Sequence, residues 1–251
     1  MNPLSFFDEV WRVAWADMRY LRHNFISVLV GSLVLPLLYF FAFGYGLGDG
    51  LTMEGVDYIS YLIPGVVALS TLSASFSSTA SKVMIQRKFY SSFDELTLCP
   101  IGTSSFIVGK CMLGMIRCII SCGILLCLGM VASNDMTISA PLILCILLSS
   151  FTFSLLGLCI GLLVSDQAQM TMFSNLIVLP MTFLCGTLFS VDKLPEIARA
   201  IINVLPLTPA TDCIRCSALG WNFPFTSLIL ISAYCVVFYL FAHYMIKTGR
   251  Y

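Results

Sequence analysis

The sequence predicts an all-α protein that crosses a membrane six times. Three observations support this fold class: the composition, the length of the apolar segments and the distribution of the basic residues. Of 251 residues, 59% are hydrophobic and 10% are charged, and the mean hydropathy is +0.95. Soluble domains carry about 25% charged residues, so this chain cannot cover a water-exposed surface. The balance of 13 basic and 13 acidic residues also offers no basic surface for nucleic acid.

Six apolar segments are long enough to cross a bilayer. A helix of about 20 residues spans the roughly 30 Å hydrocarbon core. The predicted spans have 21 to 25 residues and no acidic residue; they are Phe25–Leu47, Ile59–Thr79, Ile107–Val131, Pro141–Val164, Gln169–Phe189 and Thr226–Ile246. They leave no room for a separate soluble domain. We therefore expect one transmembrane domain over residues 1–251, with an interfacial helix at 1–24, the membrane helices at 25–246 and a cytoplasmic tail at 247–251.

The basic residues predict the orientation of the chain. The segments on one side of the predicted spans carry nine Lys and Arg residues, and those on the other side carry three. Lys and Arg accumulate in the cytoplasmic loops of membrane proteins. We therefore expect a multi-pass protein of the plasma (inner) membrane with both termini in the cytoplasm.

Two segments outside the predicted spans have the apolar spacing of amphipathic helices. The apolar residues of the first are Phe7, Trp11, Ala14, Met18 and Leu21. Because Trp favours the headgroup region, we expect this helix to lie flat on the cytoplasmic interface. The second lies between spans five and six, with apolar residues at Leu194, Ile197, Ile201 and Leu205. It is expected to rest on the outer leaflet or re-enter it, followed by a loop that contains Cys213 and Cys216.

The sequence lacks the motifs of common catalytic sites. Gly109-Lys110 follows the preceding glycine at the wrong spacing for a phosphate-binding loop, and Cys111 replaces the Ser or Thr. Neither a Gly-x-Ser-x-Gly nor a His-Glu-x-x-His motif is present. Most of the 11 cysteines lie in apolar runs, and only 2 histidines are available for a metal. We predict that the chain is not an enzyme and that it binds no cofactor or metal ion itself.

Arg117 is the charged residue that lies deepest in a predicted span. It lies about 15 Å from the start of the third span, whereas Lys110 is within a turn of the boundary and can extend to the headgroups. A basic group near the membrane centre is costly and normally faces the protein interior or water. The predicted spans hold no acid to pair with it. Arg117 is therefore a candidate for the substrate path, with a packed structural Arg as the alternative.

Three stretches, taken in order along the chain, resemble a known family. They are Tyr61–Ala68 with its Pro-Gly pair, Arg87–Pro100 with its final Leu-x-x-x-Pro, and Pro180–Pro195 with its sequel Leu205–Pro209. Together they resemble the permease subunit of a type-2 ABC transporter, similar to nodulation-factor, drug and polysaccharide exporter permeases. The resemblance implies a dimer of permease subunits, expected to be a homodimer. It also implies two separate cytoplasmic ATPase subunits, which bind the ATP and Mg²⁺.

The resemblance identifies Arg87–Pro100 as the helix that couples the permease to the ATPase. Within it, Phe89, Phe93 and Leu96 follow helical spacing and offer an apolar ridge to a groove in a partner. The charged residues form the rim of the ridge, and Pro100 ends the segment; the charged residues are Arg87, Lys88, Asp94 and Glu95. The alternative is a solvated amphipathic loop.

The leading functional hypothesis is an ATP-driven exporter, and two other classes stay open. A secondary carrier or channel would transport without ATP, and a membrane enzyme or assembly factor would need a catalytic group in a cavity. For the exporter, the resemblance implies an amphiphilic substrate such as a lipid, glycolipid, polysaccharide or drug. This substrate would move along the dimer interface or sideways from the membrane lipids, past an outer helix at 194–205 that lines or caps the exit.

Overall fold

The structure is a computed structural model that describes residues 3–46, 52–53, 55–89, 99, 101–132, 136–184 and 202–249. The described part is almost entirely helical, apart from a short antiparallel hairpin of β1 (Thr52–Met53) and β2 (Val56–Asp57). A π-helical segment, Phe40–Tyr45, continues α2. The α-helices are α1 (Pro3–His23), α2 (Phe25–Tyr39), α3 (Tyr58–Lys88), α4 (Thr103–Ala132), α5 (Ala140–Leu163), α6 (Gln167–Leu184), α7 (Leu207–Leu219) and α8 (Phe225–Thr248).

Four of these helices are long and apolar enough to cross a membrane. They are α3, α4, α5 and α8, and they confirm the second, third, fourth and sixth predicted spans. The first predicted span coincides with α2, but its apolar helical stretch Leu29–Gly44 is shorter. The fifth coincides with α6, whose Gln167, Gln169 and Asn175 reduce its apolar character. The predicted end of that span, residues 185–189, lies outside the described residues.

Helix α3 forms the centre of the bundle. It is buried over most of its length and packs against α2, α4, α5, α6 and α7. Its closest neighbour is α5, where Gly157 and Gly161 face the α3 main chain. A Cβ atom at Gly157 would lie 2.6 Å from the carbonyl oxygen of Phe76, and one at Gly161 would lie 2.7 Å from that of Ala80. The two backbones approach this closely because glycine has no side chain.

Helix α1 is present, and one of its faces is buried in the bundle. Val10, Val13 and Asp17 are buried on the side that packs against α4. Phe7 is 71% exposed and Trp11 is 51% exposed, so these two residues of the predicted apolar stripe lie on the surface, whereas Ala14 and Leu21 of the same stripe are buried. Asp17 forms an ion pair with Lys110 inside the bundle. The location of α1 at the membrane interface stays a prediction.

The region between α6 and α8 differs from the prediction. Cys213 and Cys216 do not lie in a loop; they lie in α7, and both are free thiols. This helix is buried against α3, α5 and α8, with the guanidinium carbon of Arg215 located 3.8 Å from the centre of the Tyr61 ring. Of the predicted outer helix, Leu194, Ile197 and Ile201 lie outside the described residues, and Leu205 lies just before α7.

Candidate functional site

Serine residues occupy two different sides of α3. Ser75 is buried, and its hydroxyl donates a hydrogen bond to the Gly114 carbonyl oxygen of α4 at 3.4 Å. On the other side, Ser73, Ser77 and Ser81 line two cavities. Because four residues make about one helical turn, these three hydroxyls lie above one another along the helix. We call them the serine stripe.

The serine stripe faces two neighbouring cavities. The first, the Lys82 cavity, has a volume of about 230 Å³ and lies between α1, α3 and α4. The second, the Asn175 cavity, has a volume of about 300 Å³ and lies between α2, α3, α4 and α6. Ser77 and Arg117 line both cavities. The half-buried Arg117 of α4 therefore lies where the two cavities meet, beside hydroxyl and amide groups from three helices.

A buried charged cluster borders the Lys82 cavity. Lys110 is only 2% exposed, and its Nζ donates to Asp17 Oδ2 at 3.2 Å and to Gln86 Oε1 at 2.6 Å. Gln86 Nε2 donates to Asp17 Oδ1 at 2.8 Å, and Lys82 Nζ lies 3.9 Å from the same oxygen. The prediction that Lys110 extends to the headgroups is wrong. Asp17 from α1 supplies a buried carboxylate that compensates the positive charge of Lys110 inside the protein.

Sequence reasoning missed Asp17, although a signal for it exists. The buried residues Val10, Val13, Ala14 and Leu21 follow the spacing of one helix face, and Asp17 falls on that same face. Acidic side chains are almost never fully buried unless they are paired. An acid on an apolar helix face therefore indicates a buried cation on a neighbouring helix.

The end of α3 carries three residues of the predicted coupling helix, Arg87, Lys88 and Phe89, of which Lys88 is exposed as predicted for the rim. Arg87 is buried, and its Nη2 donates to the carbonyl oxygen of Val164 at 2.8 Å, at the end of α5. It does not lie on an exposed rim, because this bond directs its guanidinium group into the bundle. Phe89 follows the last residue of α3 and is 67% exposed. The other predicted coupling residues lie outside the described part of the chain; they are Phe93, Asp94, Glu95, Leu96 and Pro100.

A second contact lies at the start of α4. Glu9 Oε2 accepts a hydrogen bond from the main-chain N–H of Gly102 at 3.1 Å. The nearby Ser105 hydroxyl and this N–H lower the pKa of the Glu9 carboxyl from its ordinary value. A carboxylate at this position satisfies a donor at the helix start and interacts favourably with the helix dipole. The segment between α3 and α4 is therefore bounded by Arg87 at one end and by Glu9 at the other.

The described residues contain no group of three or more His, Cys, Asp and Glu side chains that could hold a metal ion. The cysteines of the described regions are free thiols, and most are buried. The candidate site consists instead of basic groups, hydroxyls and one amide along a membrane-spanning helix. Such a surface can bind and orient a polar or charged group.

A family model identifies the class of protein to which the chain belongs. The family model described as ABC-2 type transporter matches residues 8–219. The chain belongs to this family, and the resemblance to type-2 ABC permeases is confirmed. Its relatives indicate a membrane permease subunit of an ABC transporter.

Individual relatives are similar over most of their length. The chain is 25% identical over 243 residues to the inner membrane transport permease YadH of Escherichia coli (strain K12), covering 91% of this chain and 92% of the relative. It is 24% identical over 246 residues to nodulation protein J of Rhizobium leguminosarum bv. viciae, covering 96% and 91%. For nodulation protein J of Rhizobium meliloti (strain 1021), the identity is 26% over 223 residues, covering 84% and 80%.

Proposed function

We propose that this chain is the membrane-spanning subunit of an ATP-driven exporter of amphiphilic molecules. In this proposal two copies form the substrate pathway, and two cytoplasmic ATPase subunits bind ATP and Mg²⁺ and drive transport. The observation that carries the proposal is the serine stripe of α3, which lines two cavities with Arg117 between them. Family membership supplies the transporter class, and the stripe supplies a polar route along a spanning helix.

The position of the stripe supports its use as a route. Ser73 and Ser81 are eight residues apart, which corresponds to about 12 Å along the helix axis. Polar and charged groups inside a membrane are costly, and where they occur they commonly face a water-filled cavity or a substrate path. Ser73 and Ser77 face the cavity beside α2 and α6, and Ser81 faces the cavity beside α1 and α4, away from the tight α3–α5 contact. A second copy of the chain opposite this face would close the two cavities off from the lipid.

The contacts at the two ends of the segment between α3 and α4 support its role in coupling the permease to the ATPase subunits. Exposed Phe89 offers an apolar side chain to a groove in an ATPase subunit. A push on this segment would reach the end of α5 through the Arg87–Val164 bond and the start of α4 through the Glu9–Gly102 bond. Movement of the ATPase subunits would thereby tilt α3, α4 and α5 together.

The proposal includes the topology expected from the sequence. Residues 1–251 form one transmembrane domain, in which α2 and α6 belong to the first and fifth of six spans. Both termini lie in the cytoplasm of a cell with an inner membrane. Phe89 and Lys82 then lie on the cytoplasmic side, and the Asn175 cavity lies deeper in the membrane.

Purification from the native membrane in mild detergent, followed by mass spectrometry, tests the proposal. A stoichiometric ATPase subunit is expected to co-purify, and ATP hydrolysis by the complex is expected to require both proteins. An intact, monodisperse permease without an ATPase partner, together with ATP-independent flux in proteoliposomes, would contradict the proposal. That outcome would favour the alternative of a secondary carrier or channel.

A further inference from the structure

We propose that the groove along α3 and α6 selects an anionic amphiphile. The headgroup, which carries a phosphate, sulfate or carboxylate, binds between Lys82 and Arg117, and its apolar chain follows the outer face of α6. The inference deepens the proposed function, and its role in transport rests on that function.

The charges around the Lys82 cavity favour an anion. The described ionisable side chains that line this cavity or the cluster beside it are one acid, Asp17, and three bases, Lys82, Lys110 and Arg117. Lys110 and Gln86 bind the Asp17 carboxylate closely, whereas Lys82 Nζ lies 3.9 Å from it and the Lys82 side chain is 20% exposed. Among these described groups the bases outnumber the acid, and two of the bases, Lys82 and Arg117, line the cavity itself. In a medium of low dielectric constant, the Coulomb attraction between an anionic headgroup and these basic side chains is stronger than it would be in water.

The serine stripe adds hydrogen-bond donors between the two basic groups. Ser77 and Ser81 line the Lys82 cavity, and Ser77 continues into the Asn175 cavity together with Ser73. Hydroxyls and cationic nitrogens are the donors that bind phosphate, sulfate or carboxylate oxygens most strongly. A cavity of about 230 Å³ holds a compact headgroup of this kind.

The apolar part of the site begins where the polar part ends. Asn175 and Leu179 line the Asn175 cavity, and they also line an open groove on the outer face of α6. The other walls of this groove are apolar and come from Met172, Leu176, Pro180 and Phe183. An acyl chain can therefore leave the headgroup site along α6. Because lipid tails are as apolar as leucine, the groove orients the chain while the headgroup determines selectivity.

Binding of two matched lipids to the full-length protein tests the inference. Fluorescent lysophosphatidic acid and fluorescent lysophosphatidylcholine with the same chain are titrated against the protein in a neutral detergent, and affinity is read from fluorescence anisotropy. The anionic lipid should bind at least about tenfold more tightly, as expected for hydrogen bonds to charged groups. Lys82→Gln and Arg117→Gln should each remove most of this preference. Lys82→Arg and Arg117→Lys should retain it, as should Lys247→Gln, which changes an exposed lysine at the end of α8.

Several outcomes would overturn the inference. The first is equal affinity for the two lipids, and the second is an undiminished preference for the anionic lipid in Lys82→Gln or Arg117→Gln. The third is a loss of this preference in Lys247→Gln that is as large as the loss in those two variants. Inorganic phosphate should not displace the lipid at equal concentration; full displacement would identify a site for the free anion and contradict the assignment to an amphiphile. Binding is measured without ATP or an ATPase subunit. A failure of lipid selectivity is therefore distinguishable from a failure of ATP-driven transport.

Discussion

The two sides of α3 are built from similar small residues but differ in what they face. On the α5 side, Gly157 and Gly161 allow the main chains to come close enough that a Cβ atom would clash with a carbonyl oxygen. On the other side, Ser73 and Ser77 line the Asn175 cavity beside α6, and Ser77 and Ser81 line the Lys82 cavity beside α1 and α4. A run of small residues in a spanning helix therefore favours tight packing only where the opposite helix is also small. The packed side holds the bundle together, and the open side is available to a substrate.

The largest expected effect separates the two lysines of the buried cluster, of which Lys110 lies in the packed interior and Lys82 lines the cavity. Lys110→Met should destabilise the protein by roughly 3–5 kcal/mol, because it removes the closest cationic partner of the buried Asp17. Lys82→Met should cost less than about 1 kcal/mol, because the Lys82 side chain reaches the cavity and its contact with Asp17 is long. Unfolding of the two variants in the same detergent measures the difference. Equal losses of stability in the two variants would contradict the conclusion that Lys110 is the main partner of Asp17.

A matched pair of glycines compares the packing directly. Gly157→Ala should destabilise the α3–α5 contact by about 1–3 kcal/mol, because the added methyl group meets the Phe76 carbonyl. Gly31 on α2 lines the Asn175 cavity and has no heavy atom within 4 Å of an added Cβ, so Gly31→Ala should leave stability unchanged. Thermal unfolding of both variants measures the effect. A stable Gly157→Ala protein would contradict the close contact.

Phe89 and Arg87 at the end of α3 allow the same comparison for the coupling of transport to the ATPase. Phe89→Asp should lower ATP-dependent transport by about 30-fold while the protein stays folded, since an aromatic side chain that becomes buried in an interface is often worth about 2 kcal/mol. Arg87→Gln should instead lower the unfolding temperature, because Arg87 bonds to Val164. Lys247→Gln, which changes an exposed lysine at the end of α8, serves as the control. Normal ATP-dependent transport in Phe89→Asp would show that Phe89 does not dock onto the ATPase subunit.

The smallest expected effect concerns Glu9. Its pKa is lowered in the folded protein, so the ionised carboxylate stabilises the fold above the ordinary glutamate value of 4.5. This contribution is lost as the pH falls from that value through the lowered pKa. The wild type should therefore unfold at a higher temperature than Glu9→Gln at neutral pH, and the gap should close in acid. A gap that is independent of pH would assign the effect to packing.

The sequence predicts the long apolar helices well, because α3, α4, α5 and α8 carry unbroken apolar runs. It does not predict α7, because Thr208, Asp212 and Arg215 interrupt the apolar pattern that marks a buried helix. These side chains are tolerated because tertiary contacts satisfy them, as the Tyr61 ring does for Arg215. The sequence alone cannot supply such contacts between residues that are far apart along the chain.

The candidate site follows the same rule. Arg117 is recognisable from the sequence because a single charge stands out in an apolar run, and the structure locates it between two cavities. The role of Lys82 depends on Asp17, which lies on another helix, so its position in the sequence gives no indication of it. The serine stripe is visible as a Ser-rich run, but only the packing of α5 and α6 determines which serines line a cavity.

Cysteine accessibility on α3 tests the central claim most directly. Ser77 faces the two cavities, and Ser75 faces the packed interior two residues away, so Ser77→Cys and Ser75→Cys form a matched pair. Membrane vesicles that contain the complete complex are treated with a membrane-impermeant thiol reagent, with and without ATP, and labelling is quantified by peptide mass spectrometry. The thiol introduced by Ser77→Cys should be labelled at a rate that changes with ATP, and the thiol introduced by Ser75→Cys should stay unlabelled in both conditions. Equal labelling of the two variants, or an unlabelled thiol in Ser77→Cys, would contradict a substrate route along this side of α3.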